Sequence, residues 1–131
     1  MAELDGTQIE RLRRALDARS SELLAEIADE LRASGDERHA ELAGQVLDSG
    51  DESVADLLAD TNAAMLGRHM AEVREIEAAR RRISDGSYGA CVECADDIPL
   101  ERLEVYPSAA RCVPCQSKHE RLYARETHSS L

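Results

Sequence analysis

Four cysteines carry the most specific chemistry in the chain. Cys91-x-x-Cys94 and Cys112-x-x-Cys115 are separated by seventeen residues, a spacing typical of zinc sites. A two-residue gap lets a tight turn aim both sulfurs at one ion. Two such turns complete a tetrahedral thiolate shell at about 2.3 Å per bond. Four thiolates leave no open coordination position, so one structural Zn2+ is expected and not a catalytic one. The competing readings are two disulfides, four inert thiols, a thiol–disulfide catalyst, or a redox sensor that works by losing its metal. The N-terminal stretch 1–10 carries acid and no apolar run, so no secretory signal is expected and the thiols are read as cytosolic. No alternating βαβ pattern accompanies them, which argues against a thioredoxin-like catalyst.

The second cluster is acidic. From residue 35 to 60 there are eight carboxylates, Asp36, Glu37, Glu41, Asp48, Asp51, Glu52, Asp56 and Asp60, against Arg38 as the one cation. Locally, Ser49-x-x-Glu52 has the form of a capping box, and Asp48, Asp51 and Glu52 suit the positive end of a helix. Arg80-Arg81-Arg82 is read as a solvated helix face before a docking patch. His39, His69, His119 and His128 are scattered and are read as surface or seam residues. No nucleophile–base–orienter set and no Gly-rich phosphate loop can be assembled, so the protein is not expected to be an enzyme.

Helices must position these residues. The first 98 residues lack proline, which permits long helices. Thr7-x-x-Glu10 can open one as a capping box. Ile9, Leu12, Leu16, Leu23, Ile27 and Leu31 then recur at steps of three, four or seven, a narrow stripe suited to a two-helix coiled coil. Ser34-Gly35-Asp36 interrupts it, and a short helix is expected over 37–47. A second long helix is expected over 52–84, with Val54, Leu58, Met65, Val73, Ile76 and Ile83 as its stripe and Asn62 and His69 between. Asp85-Gly86 should end it. The expected fold is therefore mainly α: a long antiparallel two-helix coiled-coil hairpin over 1–85 with an acidic tip near 34–52, then a small four-cysteine zinc-finger module and C-terminal helix over 86–131. Ile98, Leu100, Leu103, Val105 and Tyr106 can form a small core between the cysteine pairs. Pro107 should stop a short helix, and the final helix, 116–126, could pack back against the hairpin base.

Bulk composition agrees with an elongated, metal-braced chain. There is no Trp or Phe and only three Tyr in 131 residues, too little for a sizeable compact core. The net charge is −11, from 27 acidic and 16 basic residues. Nucleic-acid binding neutralises phosphates with Lys and Arg, so direct DNA or RNA contact is not expected. Four thiolates around Zn2+ make the charge more negative still. No stretch approaches the ~20 apolar residues of a transmembrane helix, and a cytoplasmic monomer is expected.

With these residues in place, the chain resembles the DksA/TraR group. The resemblance rests on Tyr88-Gly89-Ala90-Cys91-Val92-Glu93-Cys94, Ile98-Pro99, Arg102-Leu103-Glu104, Pro107, Ala109 and Cys112 to Cys115. It is specific over about 86–116 and extends more loosely along the hairpin. It implies transcription control without DNA contact: binding to bacterial RNA polymerase, a coiled coil inserted through the secondary channel, and an acidic tip that alters open-complex stability, often with the alarmone ppGpp. The group's tip motif Asp-x-x-Asp-x-Ala falls on Asp48, Asp51 and Ser53, with Ser53 in place of alanine. Ala95 stands where the group has glycine, in a turn wanting positive φ. The basic positions linked to ppGpp fall on Glu75, Tyr106 and Gln116, so a weak or absent alarmone response is implied. A zinc-stabilised helical adaptor, or a redox-responsive scaffold for another protein, is the alternative function.

Overall fold

The computed structural model describes residues 4–50, 52–59 and 66–129, with residues 124–129 described by backbone alone. Among the described residues six helices follow one another: α1 (Gly6–Ala33), α2 (Glu37–Leu47), α3 (Val54–Leu58), α4 (Gly67–Asp85), α5 (Leu100–Val105) and α6 (Val113–Ser129). No helix among the described residues is long and apolar enough to cross a membrane.

Helix α1 has 28 residues and is about 42 Å long at 1.5 Å per residue. Its N-cap is Asp5, not Thr7. The Asp5 carboxylate accepts from the Gln8 N–H at 2.8 Å, and Gln8 Oε1 accepts from the Asp5 N–H at 2.9 Å. The capping box thus forms two residues earlier than expected, around a carboxylate that suits the positive helix end. The predicted stripe is buried at Leu12, Leu16, Leu23, Ile27 and Leu31, with Ala28 added.

Helix α4 runs antiparallel to α1. Arg80 Nη2 donates to Asp17 at 2.6 Å, Arg19 Nη2 to Glu72 at 2.8 Å, and His69 lies between Glu26 and Glu30. Numbers rise along one helix as they fall along the other. Beneath these pairs, Leu66, Val73, Ile76 and Ala79 are buried against the α1 stripe. The mainly helical hairpin stands.

Two departures change where the acidic residues lie. The single helix expected over 52–84 is replaced by α3, capped at Ala59, and α4, which begins at Gly67 after Leu66. Met65, Asn62 and Asp60 lie outside the described residues. Helix α2 has the predicted bounds, but the chain turns at Ser34-Gly35-Asp36 and packs it back along α1. Its Ala43 and Val46 are fully buried, and Val54 and Leu58 of α3 are buried as well. Burial of each larger aliphatic side chain stabilises by about 1.5–3 kcal/mol, so a solvent-facing α2 could not compete with a folded-back one. At 11 residues, α2 returns roughly 16 Å toward the hairpin base.

At the base, Gly86 ends α4 at φ +84, and the residue before Pro107, Tyr106, ends α5. Pro at the next position disfavours helical backbone there. Helix α6 is present but, among the described residues, makes no extensive contact with the hairpin. Val113, Leu122 and Tyr123 are exposed along it, and Tyr123 stacks on His119 one turn away. Its apolar side chains are too sparse to form a face that would dock.

Candidate metal centre and the acidic turn

The four cysteines converge after α4. The turn Cys91–Cys94 closes through Ala95 N–H to Cys91 O at 3.0 Å, and an isolated bridge pairs Ala90 with Asp97. The second pair enters α6, with Gln116 N–H bonded to Cys112 O at 2.9 Å. All four Sγ atoms lie within 4.8 Å of one another. Cys94 Sγ and Cys112 Sγ are 3.7 Å apart, far beyond the ~2.05 Å of a disulfide. A tetrahedral shell with bonds of about 2.3 Å has sulfur–sulfur edges of about 3.8 Å. The donor set therefore fits one zinc ion.

The thiols show the same fit. Burial pushes the Cys91 thiol up, yet backbone N–H groups of Cys94, Cys112 and Glu93 outweigh it and bring it down to about 6. Cys115 is pushed up to about 12, first by its hydrogen bond with Cys112. Four sulfurs at this spacing cannot all be anionic unless a cation replaces the shared protons. Zn2+ supplies that charge, and its role here is structural: with all four positions taken by sulfur, it orders the two turns.

Ala95 is the non-glycine with positive φ among the described residues, at +65. The turn thus demands the left-handed backbone expected there, and alanine adopts it at a cost of about 1–2 kcal/mol. Gly89, at φ +93, serves a different need. A Cβ there would come within 2.9 Å of Leu4 Cδ1, so Leu4 lies against the first cysteine turn.

Further bonds brace the module. Tyr88 OH donates to Pro107 O at 2.7 Å, and burial pushes its pKa up to about 12. Arg102 Nε donates to Arg111 O at 3.0 Å, and Arg111 Nε to Glu93 at 2.8 Å. Tyr106 OH donates to Glu75 Oε2 of α4 at 2.9 Å, and Arg11 pairs with Glu104 at 3.5 Å. Tyr88 and Arg102 were visible as motif residues. Glu93 and Arg111 carried no sequence signal for a pair. The triple arginine divides: Arg80 bonds Asp17, Arg81 is exposed, and Arg82 is half-buried with its Nη2 unpartnered and its pKa lowered by burial.

The acidic turn lies elsewhere. Asp48 caps the end of α2 and is exposed; Ser53 caps the start of α3; Asp51 lies outside the described residues. Ser49 does not cap a helix. It is buried, and its hydroxyl donates to Val46 O at 2.8 Å. The following helix starts at Ser53, whose Oγ accepts from Asp56 N–H at 3.1 Å and donates to Glu77 Oε1 at 2.9 Å. Val54 N–H donates to Glu77 Oε2, also at 2.9 Å. Ser49, Gly50 and Val54 share a cleft of about 260 Å³ with Asp17, Glu77 and Arg80. Asp48 and Ser53 therefore sit beside the middle of the hairpin, roughly 18 Å short of the end of α1. Glu77 was not singled out in the sequence, because its partners are more than twenty positions away.

Comparison with known proteins agrees with this geometry. Residues 86–121 match the family described as prokaryotic dksA/traR C4-type zinc finger. The chain is 47% identical over 49 residues to a Caulobacter vibrioides protein named RNA polymerase-binding transcription factor DksA, covering 37% of this chain and 34% of that one. It thus spans about a third of the length of that curated relative. It is 43% identical over 61 residues to an uncharacterized 8.2 kDa protein in the gpA 5' region of Escherichia phage P2, covering 45% of this chain and 82% of that one. The whole fold is similar to that of transcription factor DksA2 from Pseudomonas aeruginosa, with a TM-score of 0.60, 28% identity, and 92% and 88% of the two chains covered. A C4 centre at the base of an antiparallel helical hairpin, matched in sequence over the module and in fold over nearly the whole chain, places this protein in the DksA/TraR family.

Proposed function

We propose that this chain is a non-enzymatic transcription regulator that binds bacterial RNA polymerase through protein contacts. The observation that carries this reading is the C4 module set on a hairpin whose fold is shared with DksA2 over 92% of the chain. The relative from Caulobacter is named for polymerase binding. A net charge of −11 favours a basic protein surface over a nucleic-acid backbone. In this reading the hairpin part, 1–85, enters the secondary channel and the zinc part, 86–131, stays at its rim. Asp48, Asp51 and Ser53 act near the catalytic centre, and the protein works in the cytoplasm as a monomer.

A weak ppGpp response belongs to the same reading. Two of the three positions implied for the alarmone, Glu75 and Tyr106, bond each other at 2.9 Å, and the third, Gln116, bonds Glu120 at 3.1 Å. A carboxylate at the first position repels a polyphosphate. Transcription in vitro from a ribosomal RNA promoter, with and without the protein and ppGpp, tests the proposal. A change in open-complex lifetime that ppGpp does not enlarge is expected. An unchanged lifetime, or failure to co-purify with core polymerase, would overturn it. An Asp48→Asn/Asp51→Asn variant should still bind polymerase but lose the promoter effect.

A further inference from the structure

We propose that Leu4 is a positioning residue of the metal centre: from the start of α1 it holds the first cysteine turn in place and slows loss of the ion. The inference does not depend on the polymerase reading. A Cβ on Gly89 would lie 2.9 Å from Leu4 Cδ1 and 3.6 Å from Leu4 Cγ. Leu4 therefore fills the space that a side chain at 89 would take, although the two are far apart in sequence.

Gly89 is placed to pass that contact on. Its carbonyl accepts from Ile98 N–H at 2.7 Å, and the next residue, Ala90, forms the bridge to Asp97. Cys91 then closes the same frame, its N–H donating to Asp96 O at 2.8 Å. A leucine resting on Gly89 thus covers the short backbone frame from which Cys91 projects. That thiol is buried, whereas Cys94 is exposed, so the covered side of the turn carries the better protected ligand. Leu4 is itself held by its neighbours. It directly precedes Asp5, whose capping box with Gln8 fixes the entry of the chain into α1, and it packs against the core to which Tyr88, Cys91 and Ile98 belong. Further along α1, Arg11 meets Glu104 of α5 at 3.5 Å, but both groups are exposed. A pair so solvated contributes little, which leaves the apolar contact as the stronger brace. The φ of +93 at residue 89 favours glycine whether or not Leu4 is present. Position 89 therefore reports on Leu4 only when both residues are changed together.

The test is the rate of zinc transfer from the loaded full chain to a chromophoric chelator. Leu4→Ala should speed transfer by about five- to tenfold, since it removes a partly buried apolar contact. Leu4→Met should restore most of the parent rate. Leu24→Ala is the matched control: the same change at another partly buried position of α1, roughly 30 Å further along the helix. It should lower stability to urea and leave zinc transfer at the parent rate. Gly89→Ala speeds transfer both through its left-handed backbone and by displacing Leu4. With Leu4→Ala already in place only the first cost remains, so the double variant should lose zinc more slowly than the product of the two single effects. Unchanged transfer in Leu4→Ala overturns the proposal, as does equal speeding in Leu24→Ala. Effects at 4 and 89 that simply multiply would also overturn it.

Discussion

The zinc module and the folded-back arm each hold a turn that follows a helix, yet different forces place them. In the module, each cysteine turn closes within a few residues of itself: Ala95 N–H to Cys91 O, Cys91 N–H to Asp96 O at 2.8 Å, Gln116 N–H to Cys112 O. Val92 N–H to Ala110 O at 2.9 Å, the Arg111–Glu93 pair and one ion then join the two halves. In the arm, the turn at 48–50 is placed by groups far along the chain: α1 side chains beneath Ala43 and Val46, and Glu77 across from Ser53. A site held by coordination tolerates little displacement. A site held by apolar anchors and one carboxylate depends on parts of the chain far from it. The contrast assigns local control to the metal end and long-range control to the acidic turn.

Removing the ion tests the contrast most severely. Structural zinc binding contributes on the order of 10 kcal/mol, so Cys112→Ser, or a strong chelator, should abolish exchange protection over 86–115. Most of the helical circular dichroism of α1, α2 and α4 should remain. Collapse of the whole helical signal would mean that the hairpin depends on the module. The reverse perturbation is Ile27→Ala, in the stripe that α2 and α4 cover. It should lower stability to urea by about 2–5 kcal/mol, while zinc competition against a chromophoric chelator stays within about twofold of the parent.

Smaller effects sharpen the picture. Ala95→Gly relieves the left-handed strain and should tighten the module by about 1 kcal/mol, read as roughly a fivefold gain in zinc competition. The same substitution should leave the urea midpoint of the α1–α4 hairpin unmoved. The smallest effect lies at acid pH. The hydrogen bond from Arg19 holds the Glu72 carboxyl below its ordinary value near 4.5. A carboxyl whose proton affinity is lower in the folded state stabilises the fold above its unfolded pKa, and that contribution disappears as pH falls through the lowered value. Solvent screening keeps it under about 1 kcal/mol. The urea midpoint should therefore drop below about pH 4.5, and Glu72→Gln should flatten that limb; an unchanged limb would show that the pair adds nothing.

The parts legible in the sequence are those written in short-range codes. Cysteine spacing placed the metal site. A motif glycine replaced by Ala95 announced a left-handed turn, Gly86 a helix end and Pro107 a helix stop. The bounds of α2 follow from Ser34-Gly35-Asp36 on one side and Ser49-Gly50 on the other. What could not be read was which helix α2 would cover. Its apolar residues suit either a free tip or a return along α1, and the choice depends on the depth of a stripe that α4, tens of residues away, only partly covers. Glu77 on a helical position outside the apolar stripe looks like any solvated carboxylate until Ser53 arrives opposite it. The cap of α1 was misplaced for another reason: Asp5 and Thr7 both begin acceptable boxes, and the stronger acceptor prevailed.

The adjacency of α1 and α2 has a consequence for how the chain is made. Synthesis runs from the amino end, and domains begin to organise as they emerge. Helix α2 begins at Glu37, just after α1 ends at Ala33, so it is the nearest partner available to the exposed stripe. Pairing between neighbours in sequence carries the smallest loop-closure penalty and forms soonest. Glu77 and the cysteines emerge only after that pair can close. The folded-back α2 is then the arrangement that forms first on the ribosome.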